Sequence, residues 1–249
     1  MAGKTGRIHF LDEWRGIALI GMILYHTLYD LYAIFGVDFD FYSPYLNALQ
    51  LFVCCSFIFI AGISARLSGK TAEHGLVVFG AGMLMTFGTY FFMKELTIWF
   101  GVLHFIGLSI LIYSIFKKKI QRSNGAIFSL LSLVLFFCTW GLSSGTILFG
   151  KVNVPDSFYF TKYLAFLGLP GKGFSSGDYF PMIPWFFLFL CGAFLGQYFK
   201  DGSIPQFMYK KRSKFLSLVG SNTLIIYILH QPVIYGILFV IFKMIEACK

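Results

Sequence analysis

Charge is scarce in this chain. Asp, Glu, Lys and Arg together make up 12% of 249 residues, about half the share of a soluble domain. With 57% hydrophobic residues and 32 Phe, 14 Tyr and 4 Trp, that scarcity excludes an ordinary soluble globule and points to an integral membrane protein. Acid is scarcer still, with 11 Asp and Glu against 20 Lys and Arg. A net charge of +9 in a soluble chain would suggest nucleic acid. Here the basic residues stand in short clusters between apolar runs, which is how membrane orientation is encoded, so no nucleic-acid partner is expected. Cysteine is sparse and unpatterned: Cys54, Cys55, Cys138, Cys191 and Cys248 form no CxxC pair and no set with histidine at metal spacing. Neither a disulfide framework nor a zinc site is expected, and no metal cofactor. No small-residue cleavage site follows the N-terminus, so the first apolar run reads as a retained helix.

What is present is a series of long apolar runs. Crossing the hydrocarbon layer takes about 20 residues, and seven stretches qualify: 14–35, 45–67, 74–93, 97–116, 125–143, 180–199 and 222–243. The expected fold is all-α: one domain, 1–249, built as a bundle of about seven transmembrane helices. Lys4 and Arg7, "RLSGK", "KKKIQR" and "KDGSIPQFMYKKRSK" then share one side, which the positive-inside rule makes cytoplasmic. The N-terminus falls inside, the C-terminus outside, and a multi-pass position in a plasma membrane follows. The segment 144–179, after the fifth span, is too long for a simple connector and too aromatic for disorder. It is expected to fold over the outer mouth, with an interfacial helix near 158–168.

The first run, "LDEWRGIALIGMILYHTLYDLY" (11–32), breaks the apolar rule. At 3.6 residues per turn, Asp12, Arg15, His26 and Asp30 fall in one stripe about 60° wide, with Leu19 and Ile23 between them. Ionisable groups facing lipid cost several kcal/mol, so the stripe faces the bundle interior or a cavity. His26 and Asp30 are spaced i, i+4, within reach of each other. Asp12 is equally suited to capping the helix or pairing with Arg15. His104, near the start of the fourth span, and His230, in "YILHQP" of the last, are the other intramembrane histidines. Pro232 would free the carbonyl of Ile228, and His230 or Gln231 could satisfy that backbone. Asn222 reads as a cap for the last span. Gly62, Gly192 and Gly196 read as close-packing positions.

"RIHFLDEWRGIALIGMILYH" resembles the opening of the catalytic-domain family named after heparan-α-glucosaminide N-acetyltransferase, within the wider transmembrane acyltransferase superfamily. "SFIFIAGISARL", "FGVLHFIGLS", "DYFPMIPWFFLFLCGAFLG" and "GSNTLIIYILHQPVIYG" are similar to its bacterial members, in the same order. The resemblance implies an acetyl-CoA donor entering from the cytoplasm and an extracytoplasmic acceptor, typically a glycan or glycoside, N- or O-acetylated. It permits a homodimer. The lysosomal branch places its histidine in a loop after the first helix. No His lies between His26 and His74, so the role falls on His26.

On this reading His26, oriented by Asp30, is a general base or an acetyl acceptor, with His104 beside it. Arg15 lies about 16 Å along the axis from His26, comparable to an extended pantetheine arm. Asp12, Arg15, Arg66 and His230 are therefore the candidates for holding acetyl-CoA along an apolar channel. Lys210, Lys211 and Arg212 could reach its phosphates but serve orientation equally well. Asp178, Tyr179 and Trp185 are the candidates for the acceptor, by hydrogen bonding and ring stacking; the two aromatics also suit an interfacial belt. The main alternative is a proton-coupled transporter using His26 and Asp30 as a relay, although the chain lacks the repeated halves usual in transporters. A retinal-type pigment is disfavoured because residues 222–242 of the last span contain no Lys for a Schiff base.

Overall fold

The computed structural model describes residues 6–248; Lys4, one of the orientation charges, lies outside them. The chain is helical: α1 (His9–Ala33), α2 (Pro44–Leu67), α3 (Thr71–Phe92), α4 (Val102–Arg122), α5 (Gly125–Cys138), α6 (Met182–Lys200), α7 (Lys214–Ser221) and α8 (Thr223–Ala247). They form two compact units. One holds the chain up to Phe57 and again from Pro205; the other holds Ile58–Ile204.

Among the described residues six helices are long and apolar enough to cross a membrane: His9–Ala33, Pro44–Leu67, Thr71–Phe92, Gly125–Ser144, Met182–Lys200 and Thr223–Ala247. The expected seventh, α4, is helical but falls short. Its last turns carry Lys117, Lys118, Lys119 and Arg122, so its apolar part, 102–116, rises only about 22 Å of the roughly 30 Å needed. The segment after α5 differs from expectation too. Instead of one interfacial helix near 158–168 it has a short hairpin, Thr146–Ile147 against Val152–Asn153. Two 3-10 turns follow, Asp156–Tyr159 and Lys162–Leu167. Gly168, at φ +111°, ends the second in a conformation that no Cβ tolerates well.

In the first unit α1 packs on α7 and α8. The α1–α7 contact is backbone on backbone: a Cβ at Gly220 would overlap the carbonyl oxygen of Asp12, and one at Gly16 that of Leu216. Small residues allow this approach where lipid supplies no hydrophobic drive between helices. Leu19, Met22 and Val53 form the buried core, flanked by Ile23, Leu49, Phe57, Val219, Ile226 and Tyr227. In the second unit α3 packs on α4 and α5 on α6. Gly62 and Gly192 meet the carbonyls of Phe189 and Phe59, and Gly196 lies against Arg66 and Ile63, as close packing requires.

The short helix α7 carries no span-length signal and escapes a sequence reading. It is held from outside: the carboxylate of Glu13 accepts the backbone N–H groups of Arg212 (2.6 Å) and Ser213 (2.8 Å). The Ser213 hydroxyl accepts from Leu216 N–H at 3.2 Å, capping α7. Asn222, expected to cap α8, instead donates to the carbonyl of Leu218 at 2.9 Å and closes the end of α7.

Gly220→Ala should therefore cost about 1–3 kcal/mol through overpacking, lowering the thermal midpoint of the detergent-solubilised protein. Gly236→Ala, at a position with open space around it, should leave the midpoint near that of the parent.

Candidate functional site

At the head of α1, Asp12 is a hub. Its Oδ1 accepts from Arg15 Nη1 at 2.8 Å and its Oδ2 from Arg7 Nε at 2.7 Å. Asp12 is buried while Arg7 is mostly exposed. One carboxylate between two guanidiniums leaves the trio with one net positive charge, a poor match for lipid and a good one for an anion. Trp14 donates from Nε1 to Ser56 at 3.1 Å, and Glu13 holds α7 as described. Every polar residue of "DEWR" therefore has a partner. The expected pairing of Asp12 with Arg15 is present; a helix cap is not, because α1 has no side-chain cap.

The stretch between Arg15 and His26 is filled by Leu19, Met22 and Ile23 with Val53, Ile226 and Tyr227.

Farther along, the His26 ring stands 4.9 Å from that of His230 on α8, the planes inclined by 59°. This brings together two residues 204 positions apart, which spacing alone could not foresee. The anticipated His26–Asp30 bond does not form. Asp30 is fully buried, and its Oδ1 accepts from Gln231 Nε2 at 2.6 Å. Adjacent residues on α8 thus engage α1 in two ways, His230 by ring contact and Gln231 by hydrogen bond. Nδ1 of His230 is 2.5 Å from the carbonyl of Tyr227, so the backbone atom it satisfies belongs to Tyr227, not to Ile228. Asp30 Oδ2, Gln231 Oε1 and His230 Nε2 are buried without a hydrogen-bond partner. Buried polar atoms are rarely left so; in the second unit Arg66 Nε, Ser109 Oγ, Tyr113 Oη, Gln121 Nε2 and Gln197 Oε1 share that state.

The remaining candidates lie in the second unit and are engaged differently. His104 is buried with both nitrogens in use: Nδ1 accepts from Gly101 N–H at 3.3 Å, and Nε2 faces Thr86 Oγ1 at 3.1 Å. The Thr86 hydroxyl donates to the Ile98 carbonyl at 2.5 Å, so His104 Nε2 is the donor in that pair and no lone pair remains for a reaction. Asp178 caps α4 from a distant part of the chain, its Oδ2 accepting from Val102 N–H at 2.9 Å. Burial pushes its carboxyl up to about 6, opposed by that hydrogen bond. Tyr179 donates its hydroxyl to the Ala165 carbonyl at 2.6 Å, and burial raises it to about 12. Trp185 packs among Phe136, Trp140 and Phe180, with ring centroids 5.1–5.6 Å apart. Arg66 is buried, and its two terminal nitrogens face the carbonyls of Ile120 and Gln121 at 3.4 and 3.3 Å. There it satisfies the C-terminus of α4. His104, Asp178, Tyr179, Trp185 and Arg66 thus all have local structural work.

A cleft of about 650 Å³ opens elsewhere in this unit, in the segment after α5, lined by Tyr159, Phe160, Tyr163, Lys162, Lys172 and Asp156 among others. Sequence reasoning marked this segment but none of these residues.

The family described as "Heparan-alpha-glucosaminide N-acetyltransferase, catalytic" matches residues 7–232. The chain belongs to that family. The match starts just before the Asp12 hub and ends just past His230 and Gln231, so it encloses both halves of the α1–α8 site. Membership makes the protein a membrane-bound, acetyl-CoA-dependent acetyltransferase. No curated protein and no solved structure shows a significant match to it.

The Asp178 cap gives a pH test. A carboxyl at about 6 in the fold, against about 3.9 unfolded, binds its proton more tightly when folded. The folded state thus gains relative stability below about 4 and loses it as pH rises through about 6. Asp178→Asn keeps an oxygen for Val102 N–H and removes the titration. Thermal midpoints recorded from pH 4 to 8 should lose this downward component in the variant. Asp178→Ala should lose the cap as well, costing about 1 kcal/mol.

Proposed function

We propose that this acetyltransferase moves the acetyl group of cytoplasmic acetyl-CoA onto an extracytoplasmic sugar acceptor, with the chemistry at the His26–His230 couple. The observation that carries this is two imidazole rings 4.9 Å apart beside a fully buried Asp30, inside otherwise apolar helices. Ionisable groups at such depth are costly and belong to function. Acyl transfer needs a group to take the acceptor's proton and a donor for the oxyanion that forms on the thioester carbonyl. Two facing imidazoles can supply one of each near neutral pH. Asp30 is held beside them by Gln231.

The net positive charge of Arg7, Asp12 and Arg15 supports a role for that hub in holding the donor's phosphates. The packed core between the hub and the couple means that the pantetheine arm takes another path than the α1 stripe. We assign His104 and Arg66 to the framework of α4, since both His104 nitrogens and both terminal Arg66 nitrogens are already engaged there. Asp178, Tyr179 and Trp185 belong to the framework of the second unit, where their hydrogen bonds and ring contacts are made. In this reading α4 completes a seventh crossing, sheltered by α3 and α6, which it contacts. Only then do "RLSGK", "KKKIQR" and "YKKRSK" share the cytoplasmic face. The proton-relay alternative loses its pair, because Asp30 bonds Gln231 and not His26.

Membranes given labelled acetyl-CoA should yield acetylated glycan, identified by mass. His26→Ala should lower that transfer by about 100-fold or more while acetyl-CoA still binds. A protein that binds no CoA at all would return the question to transport or scaffolding.

A further inference from the structure

We infer that His230, and not His26, takes the proton from the acceptor, with its tautomer set by the backbone of its own helix. This rests on the acetyl-transfer reading above and assigns the proton within it. A carbonyl oxygen only accepts, so the 2.5 Å contact between His230 Nδ1 and the Tyr227 carbonyl places the hydrogen on Nδ1. A neutral imidazole carries one N–H, and the lone pair must therefore sit on Nε2. That atom is buried, has no hydrogen-bond partner, and belongs to a ring only 8% exposed.

Its surroundings point the same way. The rings facing it are His26 from α1 and Tyr227 from α8, and the next residue along α8, Gln231, holds Asp30. Asp30 needs a donor, so the amide nitrogen of Gln231 faces it and the amide oxygen is left over. Nε2 of His230, Oε1 of Gln231 and Oδ2 of Asp30 are then all unpartnered acceptors. The unpartnered lone pair on Nε2 is placed to receive an N–H or O–H group, which the acceptor sugar carries and the thioester does not. His26 makes no hydrogen bond among the described residues and can present an N–H to the acyl oxygen.

The step balances. The acceptor's amine or hydroxyl proton passes to His230 Nε2 as its heteroatom bonds to the thioester carbon. The C–S bond then breaks, its electron pair stays on sulfur, and the proton moves from Nε2 to that sulfur. The products are acetylated acceptor and free CoA, with His230 neutral again.

The decisive variant is His230→Asn, whose amide can still donate to the Tyr227 carbonyl but offers no basic nitrogen. The purified protein would be assayed with acetyl-CoA and two probe acceptors: glucosamine, and hydroxylamine, which attacks thioesters with little help from a base. Turnover with glucosamine should fall by about 100-fold or more, with KM for acetyl-CoA within about twofold. Hydroxylamine turnover should fall less than about fivefold, and added imidazole should restore glucosamine transfer to His230→Ala. Equal losses with both acceptors, without imidazole rescue, would overturn the assignment and leave His230 a structural residue. A parent protein inactive toward both would instead overturn the acetyl-transfer reading beneath it.

Discussion

The first unit depends on how closely α1 approaches its partners. Gly16 and Gly220 let the backbones of α1 and α7 touch, and that contact puts Glu13 within reach of the two amides it caps. The following helix, α8, continues from α7 after a single residue. The place where α7 docks on α1 therefore governs where α8 starts, and so where His230 and Gln231 stand beside His26 and Asp30. A residue with a side chain at either glycine would displace His230 and Gln231 as well as the packed end.

Polar residues in this chain divide into those that hold helices together and those that are left with something to bind. Glu13 in the first unit belongs to the holding class, as do His104, Asp178 and Arg66 in the second. In an apolar surrounding a hydrogen bond to a helix end is hard to replace, since neither water nor lipid can substitute. Leftover atoms occur in both units, at Ser109, Tyr113, Gln121 and Gln197 in the second and where α1 meets α8 in the first. Asp30, His230 and Gln231 each keep a buried polar atom free, an arrangement that costs stability in the resting protein.

Much of the architecture was legible in the amino-acid order. Six of the seven expected crossings correspond to helices of span length, because length and hydropathy are local properties that lipid reads directly. The eight-residue α7 was not legible, since it is made by a carboxylate from the far end of the chain. Nor was the shortfall of α4, whose lysines begin before the apolar run is long enough. The segment after α5 was recognisable as folded, but its aromatic residues were divided between packing and a cleft by contacts that alternation of residue types does not encode.

For the candidate site the division is sharper. The sequence by itself determined that Asp12, Arg15, His26 and Asp30 share one face of the first helix, because helical periodicity is a property of the backbone. Only the tertiary structure decided with whom each would pair. The i, i+4 spacing of His26 and Asp30 permits a bond, yet Asp30 turns to Gln231 and His26 to His230. The reason is geometric: spacing along one helix says which groups can meet, whereas the partner that arrives from another helix is chosen by how closely the two backbones pack.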